Sequence, residues 1–243
     1  MVGVRWHSQG RHLYPRIQGH EWQTGGRLRC CPFCYVISFL GSIWDDIVHE
    51  LFQQLKAGDG PLEISDAIPA PVCRFASELA AARVLGASLE FPRIEVGGSA
   101  SQLQLEGAFE QLADLSGWYA WRDWAADWVS RFGRLGNASA VRLNMSHSLG
   151  PTCPRFHVDA IHLRLIATLL GPGTQWLRPV DVSQTADGRI CQTADPHLVQ
   201  QIGAGSVGLF KGANFDPESG RGVVHRSPPD RVDRIVVTLD FAA

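Results

Sequence analysis

The stretch CPRFHVDAIHLRLIATLL, residues 153–170, carries the strongest signal for the fold, because a His-x-Asp pair stands directly before a long apolar run. Side chains at positions i and i+2 of an extended chain point to the same side. His157 and Asp159 therefore present an imidazole and a carboxylate together, and both groups bind divalent metal ions. The apolar residues that follow predict a strand over 157–170.

A third ligand is expected from a distant strand, since one imidazole and one carboxylate fill only part of a coordination sphere. The stretch VVHRSPP, residues 223–229, supplies His225 at the end of an apolar strand, 68 residues after His157. Two histidines and one carboxylate form the facial triad of non-haem iron(II) oxygenases, which leaves positions open on the metal. We therefore predict that His157, Asp159 and His225 bind a metal ion and form the catalytic centre.

Arg234 begins the apolar stretch RIVVTLDF, residues 234–241. A charged side chain at the start of an apolar strand is unusual and indicates a specific partner. A guanidinium matches a carboxylate in a bidentate fork, so Arg234 is predicted to bind the distal carboxylate of 2-oxoglutarate. Thr238, four residues along the same face, and Thr168, across the barrel, are predicted to assist it.

Other assignments for Arg234 stay open at the level of sequence. It has acidic neighbours in Asp233 and Asp240, and an ion pair with either would account for its position. Arg226 and Arg231 also follow the distal histidine and are rival anchors for a carboxylate.

The composition is that of a folded protein with a sizeable core. The chain has 243 residues, of which 45% are hydrophobic and 19% charged, and its net charge is −2. This balance argues against a broad nucleic-acid surface. No apolar run approaches the roughly 20 residues that cross a bilayer. The first residues lack the apolar core of a signal peptide, so we expect a cytoplasmic protein. We also expect it to act on a small molecule, and its oligomeric state stays open.

The first half of the chain has helical periodicity. Helices are predicted over 42–57, 75–85 and 103–132, and an alternating pattern predicts a strand at 89–96. Four tryptophans fall on one stripe of the last helix: Trp118, Trp121, Trp124 and Trp128. Such stripes usually pack against a sheet, and we expect that here.

After Gly136 the pattern changes to short β-branched and aliphatic runs separated by turns. The predicted strands are 140–146, 157–170, 174–177, 206–210, 222–225 and 234–241. Several short strands of this kind indicate a sandwich or barrel, with the N-terminal helices packed on it. Three segments are expected, the last two sharing one core: an N-terminal extension (1–40), a mainly helical layer (41–135) and a metal-binding core (136–243).

The six cysteines are too sparse for a disulfide scaffold, so reduced thiols are expected. Cys31 and Cys34 form a lone CxxC, which is half of a zinc site, a redox pair, or part of a loosely held N-terminal segment. Cys153, four residues before His157, is either a neighbour of the metal or a small buried thiol.

Several other polar residues near the predicted site have more than one interpretation. On an unbroken strand His162 and Arg164 lie on the face opposite the His-x-Asp pair. Lys211 and Asn214 precede the loop to the distal histidine, where they either meet an anionic substrate or are solvated. Lys211 and Lys56 are the only lysines among 22 basic residues, and the arginine excess is typical of a biased genome.

From about residue 140 to the end, the sequence resembles the iron(II)/2-oxoglutarate dioxygenases. Their HxD, distal His and following Arg match His157 and Asp159, His225, and Arg234. The resemblance implies an α+β protein with N-terminal helices packed on a C-terminal double-stranded β-helix, a jelly-roll or cupin-like barrel. It also implies iron(II), with zinc as the alternative, and 2-oxoglutarate as the cosubstrate.

Three blocks resemble a bacterial family of unknown function (domain of unknown function eighteen twenty-six) more closely still. They are CPRFHVDAIHLRLIATLLGPGTQWL, GLFKGAN and VVHRSPP, which begin at residues 153, 208 and 223. Members are sometimes encoded beside zinc-homeostasis genes, so this resemblance implies a metal site and no particular substrate.

Three functions fit these observations. The first is an iron(II)-dependent oxygenase of the 2-oxoglutarate type, which hydroxylates an unknown substrate. Many such enzymes carry Ser two residues after the anchoring arginine, whereas this chain has Val236 there. The second is a zinc-binding protein of metal homeostasis, in which the same triad binds zinc without redox turnover. The third is a cupin-like hydrolase or isomerase that uses the metal as a Lewis acid.

Overall fold

The computed structural model describes residues 49–83, 88–97, 104–105, 112–216 and 221–242. Its long helices are α1 (Ala70–Ala82) and α2 (Trp118–Leu135), residues 49–57 are also helical, and a 3-10 turn covers Pro179–Asp181. The strands are β1 (Leu62–Ile64), β2 (Ser88–Glu95), β3 (Ala140–Ser148), β4 (Leu163–Leu170), β5 (Gln175–Leu177), β6 (Gln200–Gln201), β7 (Val207–Lys211), β8 (Val224–Arg226) and β9 (Arg234–Phe241).

The strands form two sheets in which neighbouring strands are antiparallel. The larger sheet has six strands in the order β1-β7-β4-β9-β3-β2, and the smaller has three in the order β6-β5-β8. A bridge between His157 and His225 adds a further short segment beside β8. The predicted α+β class, with helices and antiparallel strands, is confirmed.

One face of the larger sheet packs against the helices. Alternate residues of β9, namely Ile235, Val237 and Leu239, are buried in one apolar cluster with residues of α1 and α2. The tryptophan stripe of α2 is buried in the same cluster, as its spacing predicts, and the indole Nε1 of Trp124 donates to the carbonyl oxygen of Ala67 at 2.7 Å. Elements from both sides of position 136 therefore share one core.

The other face of the larger sheet packs against the smaller sheet. A second apolar cluster joins Ile166 and Phe210 of the larger sheet to Trp176 of the smaller one. Because side chains alternate along a strand, the residues of β9 between the helix-facing ones point into this interior. They are Arg234, Val236, Thr238 and Asp240. The interior thus receives charged and polar side chains as well as apolar ones.

Both helices differ at their ends from the periodicity. The helix predicted at 75–85 extends back to Ala70 because proline is tolerated in a first helical turn. It ends at Ala82, and the following C-cap residue, Arg83, has a φ of 50°. The helix predicted at 103–132 is wrong in extent, since α2 begins only after Gly117, which has a φ of 82°. Residues 104–105 are helical, and 106–111 lie outside the described residues.

The strand predicted at 157–170 is also wrong in extent. His157 bridges to the smaller sheet, whereas β4 begins at Leu163 in the larger one. The chain crosses between the sheets over 158–162, and an apolar sequence does not reveal such a crossing. The other strands are confirmed to within two residues: 89–96, 140–146, 174–177, 206–210, 222–225 and 234–241.

Some predictions fall on parts of the chain that the structure does not describe. These are the extension at 1–40 with Cys31 and Cys34, and the first turns of the helix predicted at 42–57. The segment boundaries at 40 and 135 stay predictions. Among the described helices, none combines the length and apolar character that crossing a membrane requires.

Gly171→Ala is expected to destabilise the protein more than Gly188→Ala. Both glycines have positive φ, 84° and 78°, so alanine costs about 1–2 kcal/mol at either position. A Cβ at 171 would also come within 2.4 Å of the carbonyl oxygen of Asp233, whereas nothing lies within 4 Å at 188. This overlap adds about 1–3 kcal/mol, measurable by urea unfolding. Equal losses in the two variants would contradict the close approach of this turn to β9.

Candidate metal centre

The two histidines of the predicted site are brought together by their own backbones. The N–H of His157 donates to the carbonyl oxygen of His225 at 3.0 Å, and the N–H of His225 donates back to His157 at 2.9 Å. Directly opposed residues of an antiparallel pair place their side chains on the same face. The imidazole centroids are accordingly 4.5 Å apart.

The hydrogen bonds of the imidazoles fix which nitrogen is free. The Nδ1 of His157 lies 2.9 Å from the carbonyl oxygen of Arg155, and the Nδ1 of His225 lies 3.0 Å from that of Val223. A carbonyl oxygen only accepts, so both Nδ1 atoms carry hydrogen and both Nε2 atoms remain for another partner. This is the arrangement found in metal-ligating histidines, where a backbone carbonyl orients the ring.

Asp159 completes the group. Its carboxylate oxygens lie 3.4 Å from the Nε2 of His157 and 3.5 Å from the Nε2 of His225. The ligand atoms of all three residues lie within 4.8 Å of one another. Two oriented imidazoles and one carboxylate, converging from one side, fit a divalent cation and leave its other side open.

The carboxylate of Asp159 is itself held by an arginine. Arg164 donates from Nη1 to Oδ2 of Asp159 at 2.8 Å, and it forms a bidentate pair with Asp240 at 2.8 and 2.7 Å. Burial alone would raise the pKa of Asp159, but hydrogen bonds from His157 and His225 and the charge of Arg164 together hold it well below its usual range. The hydrogen bond to Asp159 raises the pKa of His157.

Arg164 and Asp240 were not predicted to take part in this site. On an unbroken strand Arg164 would face away from the His-x-Asp pair. The strand is interrupted between Asp159 and Leu163, so Arg164 faces the pair instead. Asp240 is directly opposite Arg164 in the β4–β9 register. The sequence signal for this arrangement is one charged residue within each of two apolar strands, Arg164 in β4 and Asp240 in β9.

The backbone before His157 is supported by a glutamine that the sequence did not single out. Gln192 accepts from the N–H of Phe156 at 2.8 Å through Oε1 and donates to the carbonyl oxygen of Phe156 at 3.0 Å through Nε2. Its side-chain amide therefore makes the two hydrogen bonds to Phe156 that the backbone of a neighbouring strand would make. Phe156, Leu177 and Val224 are buried beneath the same loop, which keeps this side of the smaller sheet dry.

Arg234 lies deep in the interior with neutral partners only. It is 4% exposed, and its Nε donates to the carbonyl oxygen of Pro172 at 2.8 Å. Its Nη atoms lie 3.3 to 3.4 Å from hydroxyl oxygens, which belong to Ser227, Thr174 and Thr168. Burial lowers the pKa of Arg234 to about 10. Within the described residues no carboxylate pairs with this cation, so its charge is uncompensated.

The two alternatives for Arg234 are answered by other pairings. Asp240 is bound by Arg164, and Asp233 lies 3.1 Å from the Nε2 of His147. The rival anchors point elsewhere: Arg226 lies over the ring of Phe156 at 4.2 Å from its centroid, and Arg231 is exposed.

The other predicted site residues are placed as follows. The hydroxyl oxygen of Thr168 lies 3.4 Å from Nη2 of Arg234, and its assisting role stays a prediction. Thr238 shares the inward face of β9 but lies beside Ile166 and Asn144 in the register. Cys153 is exposed and is not among the three clustered ligand residues.

The fold and the site define a protein of two antiparallel sheets whose interior carries a His–Asp–His group suited to a divalent cation. The chain belongs to the family described as "Protein of unknown function (DUF1826)", which matches residues 68–240. No curated protein matches the chain.

Solved structures similar to this chain include three oxygenases. The dioxygenase for auxin oxidation in rice is 15% identical, with 81% of this chain and 78% of that one covered and a TM-score of 0.47. Dioxygenase for auxin oxidation 1 from Arabidopsis thaliana, in a 2-oxoglutarate complex, is 12% identical over 82% and 89%, with a TM-score of 0.47. A Pseudomonas putida prolyl-4-hydroxylase is 15% identical over 80% and 98%, with a TM-score of 0.39.

Arg164→Met is expected to weaken divalent-metal binding by about 10- to 100-fold, because Asp159 loses the hydrogen bond that orients it. Titration with cobalt(II), followed by visible absorption, measures the affinity. Arg178→Met is the matched control, since it removes an arginine that pairs with Asp181 on the surface. Unchanged cobalt affinity in Arg164→Met, or an equal loss in the control, would contradict this role.

Proposed function

We propose that this protein is a non-haem iron(II) oxygenase of the 2-oxoglutarate type, which hydroxylates a small-molecule substrate. One observation carries the proposal: a buried, uncompensated guanidinium opens into the same interior as the His–Asp–His group. Ser227, two residues after His225 on the same side of the chain, lies 3.3 Å from Nη1 of Arg234. We therefore infer that one bound molecule contacts both the metal ion and Arg234.

The charge of Arg234 argues for an anionic ligand with two ends. A buried cation with neutral partners is costly, and a carboxylate that pairs with it in a bidentate fork removes much of that cost. A ligand that reaches from Arg234 to the metal side needs a second oxygen donor there. 2-Oxoglutarate has both, with a carboxylate at one end and a keto acid at the other.

We also infer that the two sheets are the larger and smaller sheets of a double-stranded β-helix. They pack face to face through one apolar cluster, and the inward row of β9 supplies Arg234 at one end and Asp240 at the other. The two histidines come from the smaller sheet and its bridge, Asp159 from the crossing segment, and the arginine from the larger sheet. The jelly-roll interior therefore lies between them.

Each residue then has a separate task. His157, Asp159 and His225 would hold the iron on one side, with Arg164 fixing the orientation of the Asp159 carboxylate. Arg234 would bind and orient the far carboxylate, with hydroxyls such as that of Thr168 sharing its remaining N–H groups. The bound iron and 2-oxoglutarate supply the oxidising power from dioxygen. The apolar interior residues exclude water: Ile166, Phe210 and Val236.

The absence of Ser at position 236 does not remove the hydroxyl environment. Val236 packs in the interior apolar cluster, while the guanidinium is surrounded by hydroxyls of Thr168 on β4, Thr174 just before β5 and Ser227 just after β8. In the proposed function, hydroxyls from three parts of the chain would take the place of the Ser that is absent at position 236.

Iron(II) added anaerobically to the metal-free protein, followed by 2-oxoglutarate, is expected to give the weak visible charge-transfer band of the chelate. His157→Ala is expected to abolish it, because one of three ligands is lost. His197→Ala, which changes an exposed histidine, is the control and should retain the band. Zinc binding with no band on addition of iron and 2-oxoglutarate would instead support the zinc-binding protein of metal homeostasis.

Arg234→Met is expected to weaken 2-oxoglutarate binding by about a hundredfold or more, since two charge-assisted hydrogen bonds are lost. Metal affinity should change little, because Arg234 contacts none of the three ligands. Arg226→Met is the matched control, as Arg226 stacks on Phe156 on the outer side of β8. Calorimetric titration with 2-oxoglutarate, using manganese(II) in place of iron, distinguishes the two. Equal affinities in both variants would refute the anchor.

A further inference from the structure

Both lysines of the chain line one cavity. Of 22 basic residues only Lys56 and Lys211 are lysine, and both border a cavity of about 450 Å³. Lys56 comes from the helical residues 49–57, and Lys211 ends β7. Arg221 borders the same cavity, but both lysines of a chain whose remaining basic residues are arginines also lie here. An ammonium is a compact charge with three rotatable donors, unlike the fixed fork of a guanidinium.

Two phenylalanine rings hold these ammonium groups in place. The Nζ of Lys56 lies 5.1 Å from the ring centroid of Phe52, and the Nζ of Lys211 lies 6.0 Å from that of Phe215. The two rings pack on each other with centroids 5.6 Å apart. Cations over aromatic faces gain electrostatic attraction without losing their donors. The two lysines therefore each contact one ring of the same pair of packed phenylalanines.

Among the described residues, Lys211 has no carboxylate at salt-bridge distance. It is half-buried, and its Nζ donates to the carbonyl oxygen of Gly58, a neutral acceptor. Burial lowers the pKa of Lys211, although Asp59 and Asp216 act in the opposite direction. In the described part of the chain, neither of these carboxylates forms a salt bridge with Lys211. The cavity thus contains donors suited to an anion.

The cavity borders the loop of a metal ligand. After Lys211 the N–H of Ala213 donates to the carbonyl oxygen of Asp159 at 2.8 Å. Gly222, which also lines the cavity, is so close to this loop that a Cβ there would lie 2.3 Å from Cγ1 of Val158. The walls of the cavity and the metal centre therefore share backbone.

The cavity also lies at the opposite end of the sheet from the proposed cosubstrate anchor. Lys211 is opposite Leu163 at the start of β4, and Arg164 and Asp240 are paired at that same end. Arg234 is at the other end of β9. Lys211 shares its face of β7 with Val207 and Leu209, so the lysines lie at the Asp240 end of the sheet, on its helix-facing side.

We propose that this two-lysine cavity binds an anionic group, a carboxylate or a phosphate, of the molecule on which the enzyme acts. The role in substrate binding rests on the proposed function, whereas the capture of an anion does not. Lys56 and Lys211 supply charge-assisted hydrogen bonds. Asp59 and Asp216 line the same cavity and offset part of the charge, so isolated small anions should bind in about the millimolar range.

The two lysines allow a direct test by NMR. Growth with ¹³C-labelled lysine gives a protein with two labelled side chains, assigned by Lys56→Arg. Titration of the metal-free protein with inorganic phosphate, and separately with benzoate, should shift both signals with one common dissociation constant. Benzamide, which has the ring of benzoate but no charge, should shift neither. The stronger of the two anions indicates whether the substrate carries a phosphate or a carboxylate.

Variants decide whether the shifts report this cavity. Lys211→Met should weaken binding of the preferred anion about tenfold, the loss of one charge-assisted hydrogen bond. Lys56→Met should do the same, and because Lys56 is exposed, the fold is not at risk. Arg189→Met, which removes an exposed cation elsewhere, is the control and should bind normally.

The outcomes separate this inference from the proposed function. No saturable shift with either anion, or equal weakening by the Arg189 control, overturns the anion site. Since the titration contains neither iron nor 2-oxoglutarate, that result leaves the metal centre untouched. Conversely, loss of the iron–2-oxoglutarate band with intact anion binding would refute the oxygenase and keep the site.

Discussion

The reciprocal backbone hydrogen bonds between His157 and His225 are the constraint on which the site depends. They bring together residues 68 positions apart in the chain, and they set both imidazoles on the same face. A carbonyl within two residues then fixes each ring through its Nδ1. Very little side-chain freedom is left, so the entropy that metal binding must remove has already been lost in folding.

Charge in the interior is arranged in two contrasting ways. Near the metal ligands, the single guanidinium of Arg164 pairs with two carboxylates, those of Asp159 and Asp240, which leaves a net negative charge suited to a cation. At the other end Arg234 has only carbonyl and hydroxyl oxygens. An ion pair offsets much of the cost of burying its charges, whereas a buried cation without a carboxylate partner favours binding of an anion. The structure therefore distinguishes an arginine that pairs with carboxylates, Arg164, from one that has only neutral partners, Arg234, although the two look alike in sequence.

Local pattern was enough to predict most strands and the tryptophan stripe, because alternation and helical spacing depend on neighbours in the chain. It also singled out His157, Asp159, His225 and Arg234, whose positions on apolar segments are unusual for polar residues. What it could not provide was the crossing between sheets after His157, which depends on non-local pairing. That crossing is why Arg164 was expected to face away and why Asp240, Ser227 and Thr174 were not anticipated.

The place of β9 in the larger sheet has a consequence for how the molecule assembles. This strand follows all others in the chain, yet it pairs between β3 and β4 at the centre of the sheet. Until β9 has been synthesised, the edges of β3 and β4 that it will join therefore have unpaired hydrogen-bonding groups. Such edges attract other chains. The nascent protein is thus most exposed to aggregation before β9 has been made, and its folding depends on a long-range closure.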